Sequence, residues 1–326
     1  MIDANTCISL HMTLPDGGNC FHAMNTEFEL EFEGIDSEVL HQLLSEFDGN
    51  KSIRTIAKIF PELGEETIVD MVQSLDDSKL VSSCNSASQY VSGIEALMEI
   101  EDIQSKLLYE TLYNNHFWKA CLNPENVPVS IFHGMAVENY HFLFRESWFD
   151  SPVLSYQGST KARLLINEFY AEEYGHDELI LKALNELGCT RSDLAETIPL
   201  PETLALCNAL AHWASNDPLF FFTTLGVLEG KDIKIDSYVL AMESRPDIPE
   251  GFIKPIRDHA LINLNGEHGA LTREIFKEIP LVTQEDMTRF RRETHLFVEL
   301  YDDFHSAVWK YYSNPNMPLL RRLSEV

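Results

Sequence analysis

The chain has 326 residues, 44% of them hydrophobic, and a formal net charge of −28. That length exceeds one small core and points to two domains, or to one large domain with an appendage. The acidic balance argues against nucleic-acid binding, because no basic stripe is on offer to neutralise phosphates, while it suits a basic peptide partner.

No apolar run approaches the roughly 18 residues that a membrane helix needs, and the segment Met1–Thr6 lacks a basic region followed by an apolar one. A cytoplasmic protein without membrane contact is the expectation, with a homodimer left open. The six cysteines are scattered without a CxxC pair, so reduced structural thiols are expected rather than a zinc or redox motif.

Residues 1–84 differ in texture from the rest. Cys7–Leu14 and Phe28–Phe32 alternate apolar and polar residues as strands do, and Pro15–Gly18 between them reads as a turn. Three short amphipathic helices follow, over Asp36–Leu44, Ser52–Ile59 and Glu65–Leu75, and then Lys79–Val81. A hairpin with helices in this order predicts a small α+β winged-helix-like domain.

The run Phe47–Ala57 and the closing Leu75–Val81 resemble the small peptide-binding proteins of the pyrroloquinoline-quinone D type. The resemblance covers the first quarter of the chain and implies recognition of a precursor or leader peptide. Such a peptide would add as a strand to the hairpin edge, with backbone hydrogen bonds supplying affinity and alternate side chains supplying choice. Residues 85–92, beginning with the small polar run Asn85–Gln89, are expected to be a linker to a domain spanning 93–326.

From residue 93 onward the pattern is helical. Two helical segments are expected over 94–119, with a break from Pro124 to Pro128 and an all-round apolar, buried segment from Val129 to Phe149. Further helices are expected over Arg163–Leu187, over Glu202–Trp213, from Asp217-Pro218 with proline in the first turn, over Pro255–Lys277 and over Gln284–Tyr312. The fold class predicted is mainly α, a helical bundle behind a small α+β domain.

Arg163–Leu187 carries groups that do not belong in a core. On a helical wheel Leu165, Phe169, Leu179, Ile180, Ala183 and Leu187 form one stripe, Glu172 and His176 fall in its middle, and Glu168 and Glu173 lie at its rims. An unpartnered carboxylate there costs several kcal/mol, on the order of the penalty for buried ions. A metal ion, a water-filled pocket or a Glu–His hydrogen bond would compensate.

Glu229 ends an apolar run from Leu219, where a carboxylate at a helix C-terminus is disfavoured by the macrodipole. In Asp258–Ile275 the wheel sets Leu261, Leu264, Leu271, Ile275 and His268 on the core face, Glu267 at its edge, and His259 pointing away. Glu138 and His141 repeat the Glu-x-x-His spacing of Glu173 and His176, which places both residues of each pair on one helix face. Glu138 and His141 are read as lining a pocket or moving protons. His295, Glu299 and Asp302 share a face of the last helix that reads as solvated, and His305 sits at its boundary.

The order Glu173-x-x-His176, lone Glu229 and a later helix with His268, together with Glu172–Gly188 and Asp217-Pro-Leu-Phe, resembles the haem-oxygenase-like di-iron oxidases and oxygenases. Their fold is shared with thiaminase-like proteins and with the cofactor-free pyrroloquinoline-quinone C oxidase. Over residues 95–312 this resemblance implies a haem-oxygenase-like bundle. It carries metal ligands onto Glu173 (or Glu172), His176, Glu229 and His268.

The family's last metal helix reads His-x-x-x-Asp-x-x-His, whereas counting back from His268 gives Asn265 and Leu261. The cofactor implied is therefore Fe(II), mononuclear or dinuclear, with O2 as co-substrate. The activity implied is oxidation of a peptide or peptide-linked substrate. A cofactor-free oxidase or cyclase using His176 and His268 as acid/base groups is the alternative enzyme, and a peptide-binding scaffold with a degenerate metal site is the non-enzymatic one.

Overall fold

The computed structural model describes residues 2–11, 20–23, 26–30, 32, 34–83, 90–228, 237–265 and 268–322. The chain divides into two compact units, Met1–Ile103 with Phe276–Arg291, and Gln104–Ile275 with Arg292–Val326. The first unit thus reaches past the expected end of the N-terminal domain and takes in a segment from far along the chain. Most of the expected linker lies outside the described residues.

The first unit holds β1 (Cys7–Leu10), β2 (Cys20–Ala23), β3 (Thr26–Glu29), α1 (Ser37–Ser45), β4 (Asp48–Ser52), α2 (Ile53–Ile59), α3 (Gly64–Asp77), β5 (Val81–Ser83), β6 (Tyr90–Val91), the start of α4 (Gly93–Glu110) and β7 (Val282–Thr283). The three helices fall where the apolar periodicity puts them, and the starts of the first two are capped. The Asp36 carboxylate accepts from Glu38 N at 2.9 Å and the Ser52 hydroxyl from Thr55 N at 3.3 Å. Leu40, Leu43, Leu44, Ile53, Ile56, Ile68, Val72 and Leu75 are buried along the inward faces of these helices.

The strands pair differently from the expected hairpin. β1 lies between β4 and β5, antiparallel to both, and β3 pairs with β2 instead. β4 was not foreseen because Asp-Gly-Asn-Lys-Ser carries no apolar alternation. The turn read at Pro15–Gly18 lies outside the described residues.

The second unit takes in the rest of α4, then α5 (His116–Leu122), α6 (Val129–Leu143), α7 (Glu146–Val153), α8 (Thr160–Glu173), α9 (Asp177–Asn185), α10 (Arg191–Ala195), α11 (Pro201–Asn216), α12 (Pro218–Leu228), α13 (Ser237–Glu243), α14 (Glu250–Asn265), α15 (His268–Lys277) and α16 (Gln284–Tyr312). The last two helices share residues with the first unit. α9 packs against α6 and α14, and α11 packs against α6, α7 and α12. The apolar segment read as internal is so along α6, where Ile131, Phe132, Met135, Ala136, Val137 and Tyr140 are buried, but Phe144 and Trp148 beyond it are exposed; Phe220, Phe221 and Phe222 of α12 are buried. Fully burying each such side chain contributes about 1.5–3 kcal/mol.

Two expected helices are each divided. Arg163–Leu187 breaks at Tyr174–Gly175, where Gly175 has φ +97°, a left-handed conformation that glycine adopts without steric cost. Pro255–Lys277 is split between α14, which begins earlier at Glu250 and accommodates Pro255, and α15. Among the described residues no helix is long and apolar enough to cross a membrane. Cys7, Cys189 and Cys207 are free thiols.

Candidate functional site

The break at Gly175 makes the site. Glu173 is the last residue of α8 and His176 caps the start of α9, so the chain turns between them while both side chains remain inside, 2% and 6% exposed. Glu173 Oε2 meets His176 Nδ1 at 2.9 Å. Glu172, which the wheel of an unbroken helix puts inward, is exposed and belongs to the solvent face of α8. The inward carboxylate is Glu173.

A third group joins from α14. The ring of His259 meets that of His176 edge to face, with centroids 5.0 Å apart, and His259 is half-buried. The wheel set His259 outward and Leu261 in the core; instead Leu261 and Ile262 are exposed. The phase of α14 is set by Phe252, Ile253, Ile256 and Ala260, which are buried, and that phase turns His259 toward α9. Glu229 lies outside the described residues. His268 opens α15, and the position of its side chain lies outside them as well.

One carboxylate and two imidazoles are the donor types that non-haem Fe(II) takes with positions left open for O2. Glu173, His176 and His259 therefore fit iron in kind. Among the described residues, however, no group of three or more His, Cys, Asp or Glu is placed so that it could hold a metal ion. A complete set would draw on Glu229 or His268.

The second Glu-x-x-His pair divides into two roles. Glu138 is fully buried, and its Oε2 accepts from Leu200 N at 3.0 Å and from the Thr203 hydroxyl at 2.5 Å, while Oε1 accepts from the Tyr312 hydroxyl at 2.9 Å. Burial pushes its pKa up against the pull of those donors. Donors from α11, from its cap Leu200 and from α16 make Glu138 a clamp between helices.

His141, one turn on, is 3% exposed, and its Nε2 has no hydrogen-bond partner among the described residues. Arg145 Nη1 lies 3.4 Å from its Nδ1 and donates to its backbone oxygen at 2.7 Å. Burial, and then the nearby guanidinium, lower its pKa to about 4, so the ring is neutral near pH 7.

On α16, His295 and Glu299 are exposed, as a solvated face requires, but Asp302 is half-buried and accepts from Asn115 Nδ2 at 2.9 Å. His305 is buried against Phe117, Trp118, Tyr301 and Phe304, and its Nδ1 donates to Tyr301 O at 2.7 Å. Sequence reasoning missed His259, whose signal is the apolar spacing Phe252–Ile256–Ala260 read without Leu261.

Residues 103–222 match the TENA/THI-4/PQQC family. That span contains Glu138, His141, Glu172, Glu173 and His176, and stops short of Glu229, His259 and His268. Among solved structures, a domain of unknown function with a heme oxygenase-like fold from Shewanella denitrificans OS217 is similar. Its TM-score is 0.51 at 18% identity, over 68% of this chain and 94% of that chain. The comparison with curated proteins finds no match. The likeness shows the fold expected from sequence, a mainly α, haem-oxygenase-like bundle; among the described residues every strand but β7 lies in the N-terminal region.

Proposed function

We propose that the helical unit is an O2-dependent oxidative tailoring enzyme that uses non-haem Fe(II) and acts on a peptide or peptide-linked substrate. The observation that carries this reading is the buried Glu173–His176 pair with His259 packed on it, two of the three groups lying within the segment matched to the TENA/THI-4/PQQC family. Iron would need Glu229 or His268, the further ligands expected from sequence, beside the donor types that Glu173, His176 and His259 offer, since no three described residues are placed to hold it. Iron, when bound, supplies activation of O2.

The chain's own residues supply the rest. Gly175 sets the turn that lets Glu173 and His176 share one site. Arg145 accounts for the lone pair on Nδ1 of neutral His141, which leaves the Nε2 proton buried without an acceptor among the described residues. A buried donor left unpaired costs about 1–3 kcal/mol. A substrate oxygen placed against it would recover that cost, so His141 orients substrate by donating one hydrogen bond. Glu138 holds α6, α11 and α16 in place around it.

For the first unit we take the peptide-recognition role, with a winged-helix-like domain of the pyrroloquinoline-quinone D type. In its support, β5 is an edge strand of its sheet among the described residues, and edge strands offer unpaired backbone groups to an extended chain. A cleft of about 660 Å³ within this unit is lined by Gln73, Asp76, Asp77, Ser83, Glu95 and Lys277, among others. Its acidic side chains suit a basic peptide.

Two measurements test the reading. With an oxygen electrode, Fe(II)-loaded protein should take up O2 well above the rate of free Fe(II), and His176→Ala should return uptake to that rate; equal uptake in both overturns the iron assignment. Labelled candidate leader peptides of basic composition should bind the full chain saturably, and an absence of saturation removes the peptide role. A metal-free oxidase, with His176 and His259 moving protons, is the second reading, favoured by the incomplete ligand set among the described residues. It predicts turnover unaffected by chelators.

A further inference from the structure

Away from the helical site, the first unit brings together a serine, a histidine and an aspartate that lie far apart in sequence. His11 follows β1, and its backbone N donates to Leu80 O at 2.9 Å, which holds it beside the start of β5. In the antiparallel register Ser9 faces Ser82, so the His11 and Ser82 side chains lie diagonally on the same face of the sheet. His11 Nε2 is 2.8 Å from the Ser82 hydroxyl, and His11 Nδ1 is 3.0 Å from Asp102 Oδ2 on α4. His11 is buried, whereas Ser82 and Asp102 are half-buried.

The carboxylate fixes the tautomer. Asp102 can only accept while ionised, so Nδ1 carries the proton and donates it, leaving the Nε2 lone pair to accept from the Ser82 hydroxyl. A hydroxyl donating to a base that is itself held by a third group is the arrangement of an activated nucleophile. Ser82 meets the other requirement by sitting on a strand that, among the described residues, is at the edge of its sheet. Such a strand turns alternate backbone N–H groups away from its neighbour, where they can stabilise a developing oxyanion. Ser83, which lines the acidic cleft, points to the opposite face by the two-residue period, so this site is separate from that cleft.

We propose that Ser82, His11 and Asp102 form an acyl-transfer site for activated acyl groups, esters or thioesters. Ser82 Oγ attacks the acyl carbon as its proton passes to His11 Nε2, and Asp102 stabilises the imidazolium. The bond to the leaving oxygen or sulfur breaks, and the leaving group departs with that proton. Water then adds to the acyl-Ser82 ester, giving its proton to His11. The carboxylic acid is released, and the proton returns to Ser82 Oγ.

The test treats the full-length protein with a fluorophosphonate probe and maps labelled peptides by mass spectrometry. Ser82 should be labelled, with the rate falling on the order of a hundredfold in His11→Ala and in Asp102→Asn. Far-UV circular dichroism establishes that each variant is folded, and if His11→Ala unfolds, Asp102→Asn decides, since it keeps the imidazole. Absence of label on Ser82, or labelling at the same rate in a folded variant, overturns the proposal and leaves the three residues as a structural tie between β5 and α4.

Discussion

Tyr312 lies so close across Gly134 that a Cβ there would sit 2.2 Å from the ring, and its hydroxyl donates at 2.9 Å to Glu138, one turn further along α6. The ring thus runs along α6 from a glycine to a buried carboxylate, and the Tyr312 backbone oxygen accepts from Ser130 at 2.7 Å. Removing the hydroxyl in Tyr312→Phe should destabilise the fold by about 1–3 kcal/mol, as for a buried acceptor that loses its donor. Glu138→Ala should cost about 3–5 kcal/mol because it breaks a buried polar cluster. Urea unfolding measures both; a Glu138→Ala variant as stable as the parent would contradict the clamp.

Gly175 should be intolerant of side chains for a backbone reason alone. A Cβ there meets nothing within 4 Å, but φ of +97° costs an L-residue about 1–2 kcal/mol. Gly175→Ala is expected to lose that much stability and to weaken Fe(II) binding by shifting Glu173 against His176. Unchanged stability and unchanged metal affinity together would show that the turn is not what assembles the site.

Two buried histidines make stability depend on pH. Burial lowers His141 to about 4, with the Arg145 charge adding to it, and burial lowers His305 to about 4 against the opposing hydrogen bond to Tyr301 O. Both ionise in the unfolded chain near pH 6.5. Their stabilisation is therefore complete above about pH 6.5 and is lost as pH falls toward 4, by roughly 3 kcal/mol for each group. Unfolding free energies between pH 7 and 4.5 should fall accordingly, and His305→Phe should flatten the slope. A slope equal in parent and variant would rule out His305 as its source.

Much of this was legible in the sequence where local periodicity decides structure. Gln284–Tyr312 is one uninterrupted helix, and α1 to α3 follow their apolar spacing, with Asp36 and Ser52 placing the caps of the first two. The failures have one kind of cause. A wheel assumes an unbroken helix, so it set Glu172 inward until the Gly175 turn rotated α9 relative to α8. It set His259 outward because Leu261 was counted as core. The partners of Glu138 come from α11 and α16, more than sixty residues away, and no local pattern announces them.

Exposure separates the two adjacent glutamates in a way that mutagenesis can read. Glu173→Gln removes the charge that meets His176 at 2.9 Å and should reduce Fe(II) affinity at least about tenfold, on the scale of losses at ligand positions. Glu172→Gln, on the solvent face, should leave affinity unchanged. The reverse order in a competition titration would return the inward role to Glu172.

The account rests most directly on metal content after anaerobic Fe(II) loading and desalting, measured in the parent chain and in His176→Ala. It predicts stoichiometric iron in the parent and its loss in His176→Ala with the fold intact. No retained iron in the parent, or equal iron in both, would contradict it.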